Sequence, residues 1–453
     1  MKLSQRLLEK DSSLWPEPNV SQNRLGWLEV ANLMKQKSSE LTSWAKDIPY
    51  NNIFLLGMGG SSLGPEVLAS CAPAGFEPKK KLTVIDTTDP QTIQDQDIED
   101  GFFIVSSKSG STLEVHCLFS YFWEKVPDPS RYIAITDPGT PLEKLAREKG
   151  FSAVFINPSD IGGRYSVLSY FGLVPAALIG YNIEKFCSDS YEIDIDQAVE
   201  LGVSMGQAAR QGKNKINIVV PPKFKSFGLW AEQLIAESTG KHERGCVPVP
   251  STELEPGNDR FSIKIDIDSP EQLSKQFYRL EIAVAIAGHV LEIDPFDEPN
   301  VAESKQNTAK ALESLPLGEI PTSPPSSIVG WLKENAKEND YISIQAYLPF
   351  GQDDELENLR KSLANKTSLA STAGYGPRFL HSTGQLHKGG PNEILAIQIV
   401  RSSSAPVVEI PGKNYDFGTL QAAQAYGDYQ SLKAHHRRVL RVASDELSSI
   451  IIE

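Results

Sequence analysis

Two apolar runs in this chain each end in a Gly/Ser-rich turn that opens a helix-length segment: residues 55–65 read LLGMGGSSLGP and residues 105–114 read VSSKSGSTLE. A strand that delivers its chain into a helix N-terminus belongs to a βαβ unit, and so to a parallel sheet. It also leaves unpaired backbone N–H groups and the positive end of the helix dipole aimed at one spot, where an anion can sit. Glycines such as Gly60 let the backbone approach that anion, and hydroxyls add donors. Ser61 offers one in the first turn; Ser107, Ser109, Ser111 and Thr112, with the Lys108 ammonium, offer more in the second. The pattern suits a single phosphate monoester. Neither turn carries GxxxxGK[ST], and GMGGSS fits GxGxxG poorly, so a nucleotide is the weaker reading.

The rest of the chain repeats the alternation. Segments 53–57, 82–86, 102–106, 132–136 and 154–156 read as strands, with helical stretches such as 141–149 between them. The pattern restarts with a helix at 195–211, a strand at 216–220, a helix at 227–237 and a long apolar helix at 273–290. Two similar α/β halves result, divided near residues 187–195. Residues 315–327, LPLGEIPTSPPSS, read as a linker. Beyond it, strands are expected at 342–348, 394–400 and 407–410, and a helix at 419–440 whose HHRR stretch, His435–Arg438, reads as a solvated face.

Composition sets the function classes. A net charge of −14 over 453 residues repels nucleic acid and anionic membranes, so an anionic ligand must be held by a local site. No apolar run approaches the roughly twenty residues of a membrane span, and MKLSQRLLEKDSSLW lacks the apolar core of a signal peptide, which predicts a cytoplasmic enzyme. Cys71, Cys117, Cys187 and Cys246 are scattered without a CxxC pair and read as core residues, not as a disulfide or zinc framework.

Two further segments carry chemistry. In GGRYS, Arg164 follows two glycines ahead of the apolar stretch SVLSYFGLVPAALIG, where its planar fork can meet an oxyanion. In WAEQLIAESTGK, Glu237 ends an amphipathic helix. A carboxylate there has no dipole support, so its pKa should lean upward, as a general base near neutrality requires.

With these residues in place the chain resembles the glucose-6-phosphate isomerase family, built from two sugar-isomerase (SIS) domains. GMGGSSLGP, SKSGST, GGRYSVLSYFGL and AESTGK follow in the family's order. GYGPRFLHSTGQLHKGGPN and IPGKNYDFGTLQAAQAYGD look most like the isomerase portion of transaldolase/glucose-6-phosphate isomerase fusions. The resemblance implies two doubly wound parallel-sheet domains, residues 1–190 with the phosphate loops and 191–453 with the catalytic base and a C-terminal extension. It implies a sugar phosphate substrate, no metal or organic cofactor, a homodimer, and a longer parent chain with a transaldolase domain as a further expectation. Ser61, Ser107, Lys108, Ser109 and Thr112 match the positions that grip the phosphate, Arg164 the arginine that stabilises the cis-enediolate, and Glu237 the base that moves a proton between C1 and C2. His381, in LHSTGQLHKGG, resembles the ring-opening histidine, with His387 ranked second; Lys305, in FDEPNVAESK, resembles a lysine assisting at the ring oxygen. In the commoner members the histidine precedes the lysine, and reaches the site from the neighbouring subunit; here Lys305 comes first. Glu298 stands where the family usually has glutamine. The expected activity is aldose–ketose isomerisation of glucose 6-phosphate; a bifunctional phosphoglucose/phosphomannose isomerase and a non-catalytic sugar-phosphate sensor are the alternatives.

Overall fold

The computed structural model describes residues 1–73 and 80–450. After an N-terminal helical stretch, the first sheet holds β1 (Asn52–Leu56), β2 (Lys81–Ile85), β3 (Gly101–Ser106), β4 (Tyr132–Thr136) and β5 (Ala153–Ile156), all parallel in the order β2-β1-β3-β4-β5. The five expected strands are all present. β3 is buried along its whole length, which is why GFFIVS is a continuous apolar run without alternation. Leu56 of β1 lies level with Val105 of β3, so the two Gly/Ser turns leave the sheet side by side at its carboxyl edge.

The second half contains two parallel sheets. One is β6 (Lys215–Val219), β7 (Val247–Ser251) and β8 (Arg260–Lys264), in the order β7-β6-β8. The other is β9 (Tyr341–Tyr347), β10 (Ala370–Tyr375), β11 (Ile394–Val400) and β12 (Arg438–Ala443), in the order β10-β9-β11-β12. β7 and β10 lie against each other, and Val247, Val249, Tyr341 and Ala370 share one apolar cluster, but no ladder joins them. Prolines explain the break. The Val247 N–H points at Asn214 on the β6 side, so the N–H groups facing β10 would belong to residues 248 and 250, and both are proline.

Four strands escaped the sequence reading: VPVPS is proline-rich, RFSIK carries a charge at each end, ASTAGY is built mostly of small residues, and RVLRVA begins inside the stretch expected to be helical. Two expectations are corrected. Residues 407–410 form no strand; between Pro406 and Pro411 the segment makes only an isolated bridge, Glu409 to Asp416. The last helix runs Phe417–Ala434 and stops, so His435–Arg438 is no solvated helix face. His436 takes φ +56°, turning the chain, and Arg438 starts β12 and pairs with Asp340 at 2.5 Å. Arg437 is buried and donates to the carbonyls of His387, Lys388 and Gly390 at 3.0, 2.5 and 2.7 Å.

The largest core cluster runs through both halves. Leu7, Trp15, Trp27, Leu68 and Tyr165 join residues of the helices Ile195–Arg210 and Leu273–Leu291. No helix among the described residues is long and apolar enough to cross a membrane.

Removing the Arg437 guanidinium orphans three carbonyls in a buried turn. Arg437→Met should lower stability to urea unfolding by about 2–4 kcal/mol, the cost of unmade charge-assisted bonds; an unchanged unfolding midpoint would contradict the assignment.

Candidate active site

The first Gly/Ser turn, Gly59–Ser61, is a packing hub as well as a loop. Gly59 has φ +57°, and a Cβ there would lie 2.6 Å from the His381 carbonyl oxygen. A Cβ on Gly60 would lie 2.1 Å from the Gly163 carbonyl oxygen. Glycine is required at both positions by close approach, and the turn thereby sets where Arg164 and His381 sit. Ser61 is buried beside it, and the Ser62 hydroxyl donates to the Gly59 carbonyl and to Asp86 at 3.0 Å.

In the second turn the Ser107 and Thr112 hydroxyls lie 2.9 Å apart at the head of the helix Leu113–Lys125. Lys108 turns away to Asp137, at 2.6 Å, and its charge is compensated there. Ser109 and Ser111 are exposed, 3.2 Å from each other. Ser107 and Thr112 are therefore the hydroxyls nearest the interior.

Arg164 is 3% exposed, and its guanidinium joins the two halves of the chain. Nε donates to Ser238 Oγ at 3.0 Å and to the Pro295 carbonyl at 3.2 Å; Nη2 donates to the carbonyls of Pro295 and Asp297 at 2.9 and 2.7 Å. Nη1 lies 3.0 Å from Glu298 Oε2 and 3.4 Å from Glu237 Oε1. Burial alone would lower the arginine's pKa, but the Glu237 and Glu298 carboxylates more than offset it and keep the cation charged.

Glu237, buried on the helix Phe227–Thr239, accepts a hydrogen bond from Gln233 Nε2 at 3.0 Å. The same Nε2 donates to the His381 carbonyl at 2.9 Å, so one amide ties the glutamate to the histidine segment. The Glu237 pKa is raised, as the sequence reading expected, though burial and not the helix end is the main cause; Arg164 opposes it and Glu298 adds to it. Lys241, which grips the Asp294 carbonyl and pairs with Asp297 at 2.6 Å, is pushed down to about 8 by burial and by Arg164.

His381 Nε2 lies 2.9 Å from Glu114 Oε1 of the same chain. Glu114 sits in the first turn of the helix that follows Thr112 and also accepts from Gln424 Nε2 at 2.8 Å. Its burial raises its pKa, but the His381 charge and hydrogen bond, with a smaller contribution from Lys305, outweigh that and hold it at about 2. Lys305 itself is exposed on the helix Val301–Glu313. His387 is a core residue: it lies 3.3 Å from Ser343 Oγ and from Gln345 Nε2, and burial, Lys388 and Arg437 push its pKa well below the ordinary histidine value.

Glu114 and Gln233 were missed from sequence. Each had a signal: Glu114 is an acid two residues past SKSGST in the first turn of its helix, and Gln233 lies four residues before Glu237 on one helix face. Among the described residues no group of three or more His, Cys, Asp or Glu side chains is disposed to hold a metal ion.

Comparison with known proteins shows what the chain is similar to. The family model described as phosphoglucose isomerase matches residues 29–200. The glucose-6-phosphate isomerase of Campylobacter jejuni is 28% identical over 287 residues, covering 58% of this chain and 69% of its own. Over these residues the chain is similar to the phosphoglucose isomerase family. A probable glucose-6-phosphate isomerase of Methanococcus maripaludis is 29% identical over 245 residues, 49% of this chain and 55% of its own. The chain thus spans from about half to just over two thirds of these curated relatives. The crystal structure of a glucose-6-phosphate isomerase from Chlamydia trachomatis superposes with a TM-score of 0.52 at 17% identity, covering 73% of this chain and 80% of that one, and so shares the family fold.

The Glu298 carboxylate is a second negative charge on the Arg164 Nη1 that faces Glu237. Glu298→Gln removes a charge that disfavours ionisation of Glu237 and leaves more of the arginine's field for it. The pH at which the Glu237 carboxyl ionises, followed by isotope-edited infrared spectroscopy, should therefore fall in the variant; a rise or no change would contradict the geometry.

Proposed function

We propose that the protein is a glucose-6-phosphate isomerase, interconverting glucose 6-phosphate and fructose 6-phosphate by proton transfer through a cis-enediolate. The observation that carries this reading is that Glu237, Arg164 and His381, from three distant segments, are tied together: Arg164 Nη1 lies 3.4 Å from Glu237 Oε1, and Gln233 Nε2 donates to both Glu237 and the His381 carbonyl. The phosphate is held by Ser61, Ser107, Thr112 and the N–H groups of the two turns. Ser109 and Ser111 stand at its rim, while Lys108, turned to Asp137, makes no direct contact with the phosphate.

His381, oriented through Nε2 by the ionised Glu114, serves the ring oxygen with its other nitrogen while Lys305 supports the charge there. Once the chain is open, Glu237 takes the proton from C2 and returns it to C1. Burial suits it to this role, because a carboxylate with a raised pKa is a stronger base. The enediolate oxygens develop charge beside Arg164 Nη1, whose geometry is already fixed by the Pro295, Asp297 and Ser238 contacts and needs no reorganisation. We assign the enzyme to the cytoplasm and retain a homodimer, but not as a requirement of the site: base, arginine and histidine all come from one chain.

Glu237→Gln should lower kcat by about 10²–10⁴-fold or more, with KM nearly unchanged, and should abolish solvent tritium exchange at C2. Near-normal exchange would remove Glu237 from the mechanism. Because His381 and Glu237 serve the same chain's site, mixing His381→Ala with Glu237→Gln protein and verifying subunit exchange should leave activity at the level of the two parents. Recovery would place the histidine in a partner's site.

A further inference from the structure

The four-stranded sheet has a topological switch point of its own. From β9 the chain passes to β10 on one side, and β11 and β12 lie on the other. Open α/β sheets hold ligands in the crevice at such a point, beyond the carboxyl ends of the strands. In the first sheet that position, between β1 and β3, carries the two Gly/Ser turns. In the second sheet it is a crevice of about 680 Å³, lined among others by Tyr347 at the end of β9, Arg401 just past β11, Arg441 on β12 and Gln421 on the helix Phe417–Ala434. The volume suits a small molecule.

The polar lining is dominated by donors without acceptors. Arg441 makes no ion pair among the described residues, its Nε is buried and unpartnered, and the ionisable groups that bear on it are the phenols of Tyr347 and Tyr429, neutral near pH 7, and not a carboxylate. Burial accordingly pulls its pKa down. Arg401 spends Nη2 on Asp89, at 2.7 Å, but its Nε is also buried and unpartnered. The Gln421 Nε2 amide and the Tyr347 hydroxyl, on residues 4% and 2% exposed, have no partner either. The acid in the lining, Asp416, is engaged in capping its helix through Thr419 N at 2.7 Å. A half-buried guanidinium without a counter-ion is costly, and a planar fork facing a helix N-terminus is the arrangement that recognises phosphate oxygens.

We propose that this crevice is a second anion site, which binds a small phosphorylated molecule through Arg441 and Arg401, apart from the Glu237 centre. The proposal does not rest on the isomerase reading. The test uses the whole chain with inorganic phosphate as probe, in a Ser107→Ala/Thr112→Ala background that weakens the first cradle. Millimolar phosphate should still raise the thermal midpoint saturably, and adding Arg441→Gln should weaken that response at least tenfold. Arg441→Gln alone should leave steady-state isomerisation, assayed without phosphate, unchanged. Ala422→Trp, at an exposed crevice position on the same helix, provides a second route should the arginine variant fold poorly, and should also abolish the response. Loss of all phosphate response in the Ser107→Ala/Thr112→Ala background, or a response indifferent to both Arg441→Gln and Ala422→Trp, would overturn the site. Citrate protecting as well as phosphate would overturn its assignment to phosphate.

Discussion

The buried guanidinium of Arg164 is the contact on which the rest of the candidate site depends. A charge at 3% exposure is tolerable only if its donors are met, and here they are met by backbone carbonyls of Pro295 and Asp297, by Ser238 and by two carboxylates. Those partners come from the second half of the chain, while the arginine comes from the first. Fixing the cation therefore also fixes the relation between the phosphate turns and the helix that carries Glu237. Lys241 reinforces the arrangement by gripping the same 294–297 segment from another side.

A second polar chain crosses the halves. Thr88 donates to Gln424 at 2.6 Å, Gln424 to Glu114 at 2.8 Å, and Glu114 meets His381. Its effect is to hold one carboxylate ionised despite burial, and so to fix which histidine nitrogen is engaged. The two ion pairs Asp86–Arg378 and Asp89–Arg401, at 2.8 and 2.7 Å, tie the carboxyl end of β2 to the second half alongside it. In a chain with net charge −14, Lys108, Arg164 and Lys241 are each committed to a carboxylate partner.

The same fold rule appears at both sheets. Each doubly wound sheet opens a crevice where its strand order reverses. The first fills the crevice with glycine and hydroxyl turns, and the second with arginine side chains and a helix N-terminus.

The first sheet, the two Gly/Ser turns and the helix that carries Glu237 were legible in the sequence because they depend on local signals: apolar runs, glycine turns and a helix end. β7 and β10 were not legible, since prolines and small residues mask a strand whose extended form is imposed by its neighbours. The HHRR stretch misled because charge pattern says nothing of burial, and Arg437 is buried by three carbonyls remote in sequence. Of the two residues whose order is reversed, His381 lies against Glu114, while Lys305 is exposed and bears on that carboxylate only through its charge. Sequence alone determined which chemical groups were available and which turns could cradle an anion. Only the tertiary structure decided that His387 is a core residue while His381 meets Glu114 of the same chain, and that Glu298 shares Arg164 with Glu237. These depend on contacts between distant segments, and no local periodicity encodes them.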